Sequence, residues 1–149
     1  MIYLLDTDLL IYMVRGLKPT RRAAERQRAQ KLVERCRQAQ LRGDDVGLSA
    51  ITVSELEFGA RCSGNHEAEI VAVRKVLVPF VIYDYDSIAC PPHYGRVRHQ
   101  LEAKGMTIGS MDLLLAAHAL ALDAAFVSNN TAHFARVEGL RTANWLNHA

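Results

Sequence analysis

Short apolar runs recur along the chain, and between them lie longer segments in which apolar residues follow a helical period. The runs are IYLL (2–5), VGLSA (46–50), VPFVIY (78–83), AAFVS (124–128) and a weaker LRTA (140–143). Because apolar and polar residues do not alternate within them, these runs are typical of strands covered on both faces. Strands that alternate with helices predict an α/β/α sandwich around a central parallel sheet of about five strands.

Three of the intervening segments have clear helical patterns. The strongest follows Pro19, and its apolar face consists of Ala29, Leu32, Val33 and Cys36. The segment 112–122 is apolar nearly all round, which predicts a buried helix. The segment 86–104 should be helical up to Gly105, with either a kink at Pro91-Pro92 or a start at that pair, because prolines disrupt a helix interior.

The length of 149 residues, half of them apolar, predicts a single domain over 1–149. No stretch approaches the ~20 uncharged residues that span a bilayer, and the start lacks the basic region of a leader. We therefore expect a soluble, cytoplasmic protein with no membrane segment. The three cysteines, at 36, 62 and 90, match neither a disulfide framework nor a zinc site, so we expect buried free thiols.

The net charge of +2 conceals an uneven distribution. Residues 15 to 42 contain ten lysines or arginines and two acids, a net charge of +8, whereas the rest of the chain carries −6. A basic segment of this kind favours a polyanionic partner, although a solvated helix face explains the same pattern equally well. The residues we expect to contact a phosphate backbone are Arg15, Lys18, Arg21 and Arg28.

Polar residues that can bind a ligand lie just after the predicted strands or at helix starts. They are Asp6, Asp8, Glu55, Asp112, Asn129 and Asn130. In open α/β sheets ligands bind outside the carboxyl ends of the strands, near the point where the strand order reverses. The sequence therefore predicts that these side chains converge at one edge of the sheet.

Each of these residues also has a purely structural explanation. Asp8 can cap a helix that begins at Leu9, and Thr52 with Glu55 matches a capping box. Asp112 at a helix N-terminus is favoured by the helix dipole. The asparagine pair, 129 and 130, suits a turn.

Three converging carboxylates would repel one another and raise each other's pKa unless a cation neutralised them. Mg²⁺ and Mn²⁺ prefer oxygen ligands, and Mg²⁺ is commonly held by one or two carboxylates together with water and phosphate oxygens. An acidic metal site beside a basic helix predicts hydrolysis or transfer at a nucleic-acid phosphodiester.

Four blocks of the sequence stand out together: MIYLLDTDLLI, SAITVSELEFGA, IGSMDLLLAAHALAL and VSNNTAHFARVEGLRTANW. In their order and spacing they resemble the PIN-domain ribonucleases, and within them the VapC-like toxins of toxin-antitoxin pairs. The resemblance implies Mg²⁺ or Mn²⁺ dependence and endonucleolytic cleavage of RNA, often tRNA or ribosomal RNA. It also implies a homodimer, inhibition by a small VapB-like antitoxin, and contact with operator DNA only through the antitoxin complex.

The same resemblance assigns an acidic cluster to Asp6, Glu55, Asp112 and the position of Asn130. We expect Asp6 and Asp112 to hold one metal ion directly or through water. Glu55 would lie in the same shell or act on the attacking water, and the Asn130 amide would orient a water molecule. Ser128 is expected to hydrogen-bond a neighbouring carboxylate, while Asp8 would cap its helix and assist the site only indirectly.

The sequence departs from the family pattern in three places. Asn130 stands where many members have Asp, Ser128 stands where Thr is commoner, and Pro91-Pro92 interrupts a helix that usually runs through. The first departure lowers the charge of the cluster, which should weaken a second metal more than the first.

Two other classes of function fit parts of the sequence. An apolar strand that ends in DxD is also how phosphatases of the haloacid-dehalogenase type present a nucleophilic Asp. That class requires a downstream Lys and a late pair of acids, which VSNN lacks. The second class is a catalytically degenerate PIN fold that binds RNA or a protein partner.

Overall fold

A computed structural model describes residues 1–146. Its five strands are β1 (Ile2–Leu5), β2 (Asp45–Ser49), β3 (Val81–Tyr83), β4 (Ala125–Val127) and β5 (Arg141–Ala143). They form one sheet in the order β3-β2-β1-β4-β5, and every neighbouring pair is parallel. The predicted parallel sheet of five strands is therefore confirmed.

Helices cover both faces of the sheet. They are α1 (Thr7–Gly16), α2 (Ala23–Leu41), α3 (Ala50–Cys62), α4 (His66–Leu77), α5 (Cys90–Ala103), α6 (Ser110–Ala121) and α7 (Thr131–Phe134). One hydrophobic core contains buried residues of α1, α2 and α4, and the other contains those of α5, α6 and α7. This arrangement confirms the three-layer α/β/α sandwich, in which each amphipathic helix buries its apolar side against the sheet.

The strand order places a crevice at the centre of the sheet. In β1, Tyr3 pairs with Val46 of β2 on one side and with Ala125 of β4 on the other. The chain builds outward from β1 through β2 to β3, then returns to the opposite side of β1 with β4. The carboxyl ends of β1 and β4 therefore lie at the topological switch point, which is where ligands bind in such folds.

Two strand boundaries and one helix boundary refine the predictions. The predicted strand at 78–83 begins only at Val81. Before it, α4 continues into a turn in which the Phe80 N–H bonds to the Leu77 carbonyl, and Pro79 has no N–H for a hydrogen bond between strands. The predicted strand at 46–50 ends at Ser49, whose hydroxyl caps α3. Helix α5 begins at the Pro91-Pro92 pair, which confirms the second of the two expectations for that segment.

The helix predicted after Pro19 is α2, and it packs closely on α1. Ala29, Leu32 and Cys36 are buried, as the apolar spacing indicates, and Val33 is half-buried. At the crossing, a Cβ on Gly16 would lie 2.6 Å from the Cβ of Ala29. Because real Cβ atoms do not approach so closely, only glycine lets the two helices meet there.

The cysteines differ from one another in exposure. Cys36 and Cys90 are buried free thiols, as expected, but Cys62 is exposed, so the prediction for that residue is wrong. Cys62 is the last residue of α3 and lies outside both cores. None of the helices within residues 1–146 is long and apolar enough to cross a membrane. One domain over the whole of 1–149 stays a prediction, since residues 147–149 lie outside the described part.

Candidate active site

Asp6 lies directly after β1, at the switch point. Its N–H donates to the Val127 carbonyl at 2.8 Å, which continues the pairing of β1 with β4. One carboxylate oxygen accepts from the Thr7 N–H and the other from the Ser128 hydroxyl, both at 2.8 Å. The residue is only 4% exposed. Burial, reinforced by the charges of Asp8 and Asp112, raises the pKa of Asp6 to about 6 in spite of these two hydrogen bonds.

The expectation that Asp8 caps the helix after β1 is wrong. Helix α1 begins at Thr7, two residues earlier than expected, and its N-cap is Asp6. Asp8 therefore lies in the first turn, exposed to solvent, where the helix dipole favours its charge but where it caps nothing. Its effect on the site is electrostatic, because its charge contributes to the raised pKa of both Asp6 and Asp112.

Glu55 projects from α3 and is held by a pair of threonines. The Thr7 hydroxyl donates to Glu55 Oε1 at 2.7 Å and lies 2.9 Å from the Thr52 hydroxyl. Because an ionised carboxylate only accepts, Thr7 gives its single hydroxyl hydrogen to Glu55, and Thr52 donates to Thr7. The capping-box interpretation of Thr52 and Glu55 is wrong, since α3 starts at Ala50 and is capped by Ser49.

Asp112 lies in the first turn of α6, as the sequence predicts, and a histidine accompanies it. Burial, with the charge of Asp8, raises the pKa of Asp112, while His133 opposes the rise. The two side chains approach to 3.7 Å between His133 Nε2 and Asp112 Oδ2. That Nε2 is buried and makes no hydrogen bond to any residue in 1–146, so it requires a further partner such as water or a bound oxygen.

The segment after β4 completes the site. Ser128 is fully buried and donates to Asp6, as predicted, while its oxygen accepts the Asn130 N–H at 2.9 Å. Asn130 is the N-cap of α7, and its side-chain oxygen accepts the His133 N–H at 3.4 Å. This use of the amide oxygen leaves the Asn130 NH₂ group, on an exposed residue, as the available donor.

A buried histidine links the helices that carry Asp112 and Glu55. His118 of α6 lies 2.7 Å, through Nδ1, from the hydroxyl of Ser49, which caps α3 by accepting from Ile51 N–H. Burial lowers the pKa of His118, which favours the neutral ring. The hydrogen bond between Nδ1 and the Ser49 hydroxyl connects α6 to the start of α3.

The donors at the site fit a hard divalent cation held partly through water. Asp6, Glu55 and Asp112 carry carboxylate oxygens, which are the ligands that such a cation prefers. Burial, with the charge of Asp8, raises the pKa of both Asp6 and Asp112, and a cation bound there would favour their ionised forms. In the described residues, no group of three or more His, Cys, Asp or Glu side chains is arranged to hold a metal ion by itself. Mg²⁺ needs fewer protein ligands than that, because one or two carboxylates commonly hold it together with water and phosphate oxygens.

The basic residues separate into two groups. Arg15, Arg21 and Arg28 line one groove of about 500 Å³ between α1 and α2, which they share with Asp8 and Asn129. Lys18 lies elsewhere, in a 2.7 Å ion pair with Glu69 of α4. The arginines at 35 and 42, which continue the seven-residue repeat, lie over the Trp145 ring and near Asp44.

Sequence reasoning missed Thr7 and His133 at this site. Two signals point to Thr7. It lies between the two acids of DTD, and it follows β1, which pairs with β2, the strand before the helix that carries Glu55. For His133 the signal is its place three residues after Asn130, where a side chain in a short helix faces the same way as the cap. Both contacts depend on tertiary packing, so neither is specified by local pattern alone.

Comparison with known proteins identifies the family. Residues 3–140 match the model of the PIN domain. Ribonuclease VapC2 of Haemophilus influenzae is 33% identical over 144 residues, covering 97% of this chain and 98% of its own. The tRNA(fMet)-specific endonuclease VapC of Shigella flexneri is 31% identical, with 96% and 97% covered.

The fold comparison agrees with the sequence comparison. The structure of VapBC2 from Rickettsia felis, bound to a DNA fragment from its promoter, matches with a TM-score of 0.84 and 29% identity over 97% of this chain and 99% of the other. These matches confirm the resemblance drawn from the four sequence blocks. The chain belongs to the PIN-domain family and, within it, to the VapC ribonucleases.

Proposed function

We propose that this chain is a Mg²⁺- or Mn²⁺-dependent endoribonuclease toxin that cleaves tRNA or ribosomal RNA and is neutralised by a VapB-like antitoxin. The observation that carries the proposal is a set of three carboxylates in a VapC chain. Asp6 follows β1, the charge of Asp112 contributes to its raised pKa, and Glu55 accepts a hydrogen bond from Thr7, the residue next to Asp6. The name of the Shigella flexneri relative, a tRNA(fMet)-specific endonuclease, supports tRNA as the substrate class.

Asp6 and Asp112 are the residues that would hold the metal, directly or through water, and Glu55 would lie in the same shell or act on the attacking water. When bound, such an ion lowers the pKa of a coordinated water and stabilises charge on the phosphate oxygens. Hydrogen bonds from the Thr7 N–H and the Ser128 hydroxyl fix both carboxylate oxygens of Asp6 for metal binding. These bonds hold the carboxylate in one orientation and hold it ionised more readily than burial alone would allow.

In this proposal Glu55 takes the proton of the attacking water. Thr7 occupies Oε1, which leaves Oε2 as the acceptor. As the water oxygen bonds to phosphorus, its proton passes to Oε2, the bond from phosphorus to the leaving ribose oxygen breaks, and that oxygen takes a proton from solvent. The NH₂ group of Asn130 is available to donate to a phosphate oxygen during this step.

Replacing Thr7 with valine is expected to lower kcat/KM for RNA cleavage about 10- to 100-fold, because partners that orient metal-site side chains typically have effects of this size. Valine keeps the shape but removes the bonds to Glu55 and Thr52. Thr7→Ser retains the hydroxyl and is the matched control. Equal activity of the valine and serine proteins would show that Thr7 does not position Glu55.

An antitoxin partner is supported by the fold relatives, which include VapBC complexes of Rickettsia felis and Haemophilus influenzae. This chain has an apolar groove of about 530 Å³ bounded by α1, α2 and α4, with Lys18 and Lys75 among its lining residues. Such a groove suits an amphipathic segment with acidic residues at its edges. By the same proposal, operator DNA contacts the antitoxin of the complex, and the toxin forms a homodimer.

The experiment that tests the proposed function is incubation of the purified chain with tRNA and ribosomal RNA, with Mg²⁺, Mn²⁺ or a chelator, followed by mapping of the new RNA ends. Discrete cuts that require metal are expected. A protein that cuts no RNA under any metal condition would instead be a degenerate PIN fold that only binds.

A further inference from the structure

The groove that contains Arg15 and Arg28 continues beyond the candidate active site. Its first part, which Asp8 also lines, adjoins a second part of about 410 Å³ lined by Lys31 and Trp145. Tyr12, Arg28 and Asn129 line both parts, so the two parts are neighbours on one surface. We call the two parts together the α1–α2 groove.

One wall of the α1–α2 groove is a single face of α1. Asp8, Tyr12 and Arg15 follow one another at i, i+4 and i+7, which brings them onto the same side of the helix. With a rise of 1.5 Å per residue, Tyr12 lies about 6 Å and Arg15 about 10 Å beyond Asp8. The wall therefore leads directly away from the acidic cluster, with an aromatic ring and then a guanidinium along it.

The opposite wall is basic. Arg28 and Lys31 are one turn apart on α2, and both are exposed. Within residues 1–146 neither makes an ion pair, and neither does Arg15. The acidic residue on this side is Glu25, which lies 3.9 Å from Arg21. Three unpaired cations along one groove attract a chain of phosphates.

Tyr12 gives the groove an aromatic ring. It is half-buried and lines both parts, so one portion of its ring is held by the protein and another faces the groove. An aromatic ring within a basic groove is the arrangement that binds single strands, whose unstacked bases stack on the ring. Trp145 is different, because it is 6% exposed and packed between Tyr3 and Arg35.

We propose that the α1–α2 groove binds the single-stranded RNA segment that flanks the cleaved phosphodiester. Tyr12 stacks on a base, and Arg15, Arg28 and Lys31 contact the phosphates. The inference rests on the proposed function for the identity of the ligand. Beyond that function, it states where the flanking RNA binds and that this RNA is single-stranded. It also assigns Tyr12 and Lys31 to RNA binding.

The test measures the affinity of a fluorescein-labelled oligouridylate, in the Asp112→Asn background so that the probe stays intact. Tyr12→Ala is expected to weaken binding about 5- to 100-fold, whereas Tyr12→Phe retains it. Arg28→Glu is expected to weaken binding and to reduce the salt dependence of the affinity by about 0.7 in the log–log slope per lost phosphate contact. Arg37→Glu, an exposed change on α2 outside the groove, is the charge-matched control.

The inference is overturned if Tyr12→Ala and Arg28→Glu bind the probe as Arg37→Glu does, or if an RNA duplex binds as tightly as the single strand and shows the same losses. Arg28 is exposed, so its variant keeps the test valid even if Tyr12→Ala does not fold. Failure of the proposed function would be a separate result: wild-type protein would not cut RNA, while groove variants would still weaken binding.

Discussion

Replacing Asp6 with asparagine is expected to lower the rate of RNA cleavage about 100- to 1,000-fold. A bound metal ion provides several kcal/mol of transition-state stabilisation, and each 1.4 kcal/mol corresponds to a factor of ten. Asparagine keeps the size of the side chain but removes the charge that would hold the ion. Asp112→Asn is expected to have the same effect, because its carboxylate faces the same site.

Asp8→Asn is the matched control for this result. Asp8 is exposed and influences Asp6 only through its charge, so its removal is expected to change the rate less than about tenfold. The measurement is the single-turnover rate of cleavage of one RNA by Asp6→Asn, Asp112→Asn and Asp8→Asn. Circular dichroism checks that each variant is folded. Wild-type activity in Asp6→Asn would remove Asp6 from the metal site.

The same Asp6→Asn change is expected to stabilise the metal-free protein at neutral pH. The pKa of Asp6 is about 6 in the fold against an ordinary value of 3.8, so the folded protein binds this proton more tightly than the unfolded chain does. The stability that the protonated Asp6 side chain contributes is therefore fully present below about pH 4 and is lost as the pH rises through about 6. This difference in pKa lowers the free energy of unfolding of the wild type by about 3 kcal/mol at neutral pH. The net stabilisation by Asp6→Asn is expected to be about 1 to 3 kcal/mol, because asparagine bonds less well to Ser128.

Urea denaturation at pH 4.5 and pH 7.5 measures this effect. The free energy of unfolding of Asp6→Asn should exceed that of the wild type at pH 7.5, and the gap should narrow at pH 4.5. Glu138→Gln, a change at an exposed carboxylate, should show no such dependence. Added Mn²⁺ should stabilise the wild type but not Asp6→Asn, since only a ligand that binds the folded state shifts unfolding. A gap that widened on acidification would contradict the raised pKa.

Much of this architecture is predictable from sequence because the signals are local. The apolar runs identify all five strands, and their alternation with helices implies the parallel sheet. Asp6 and Asp112 could be predicted as candidate site residues because the ends of parallel strands and the helices that follow them meet at one edge. The choice between a kink and a helix start at Pro91-Pro92 needed the structure, since both are compatible with proline geometry.

The details that could not be predicted depend on where helices begin and which elements pack together. Helix α1 begins two residues earlier than the sequence predicts, so its cap is Asp6 and not Asp8. Thr7 therefore lies in the first turn, where its hydroxyl bonds to Glu55, 48 residues away. Lys18 and Arg15 belong to one basic segment, yet only Arg15 lies in the α1–α2 groove, because Lys18 meets Glu69 of α4. Neither contact leaves a periodic pattern in the sequence.

The most direct test of the central claim is a Mn²⁺ titration of RNA cleavage by the wild-type protein and by Asp112→Asn. The wild type should show no cleavage in chelator and a rate that rises and saturates with Mn²⁺. Asp112→Asn should stay near the chelator baseline throughout. Wild-type cleavage that is unchanged by chelator, or an Asp112→Asn titration that follows the wild-type curve, would contradict a metal site built from Asp6, Glu55 and Asp112.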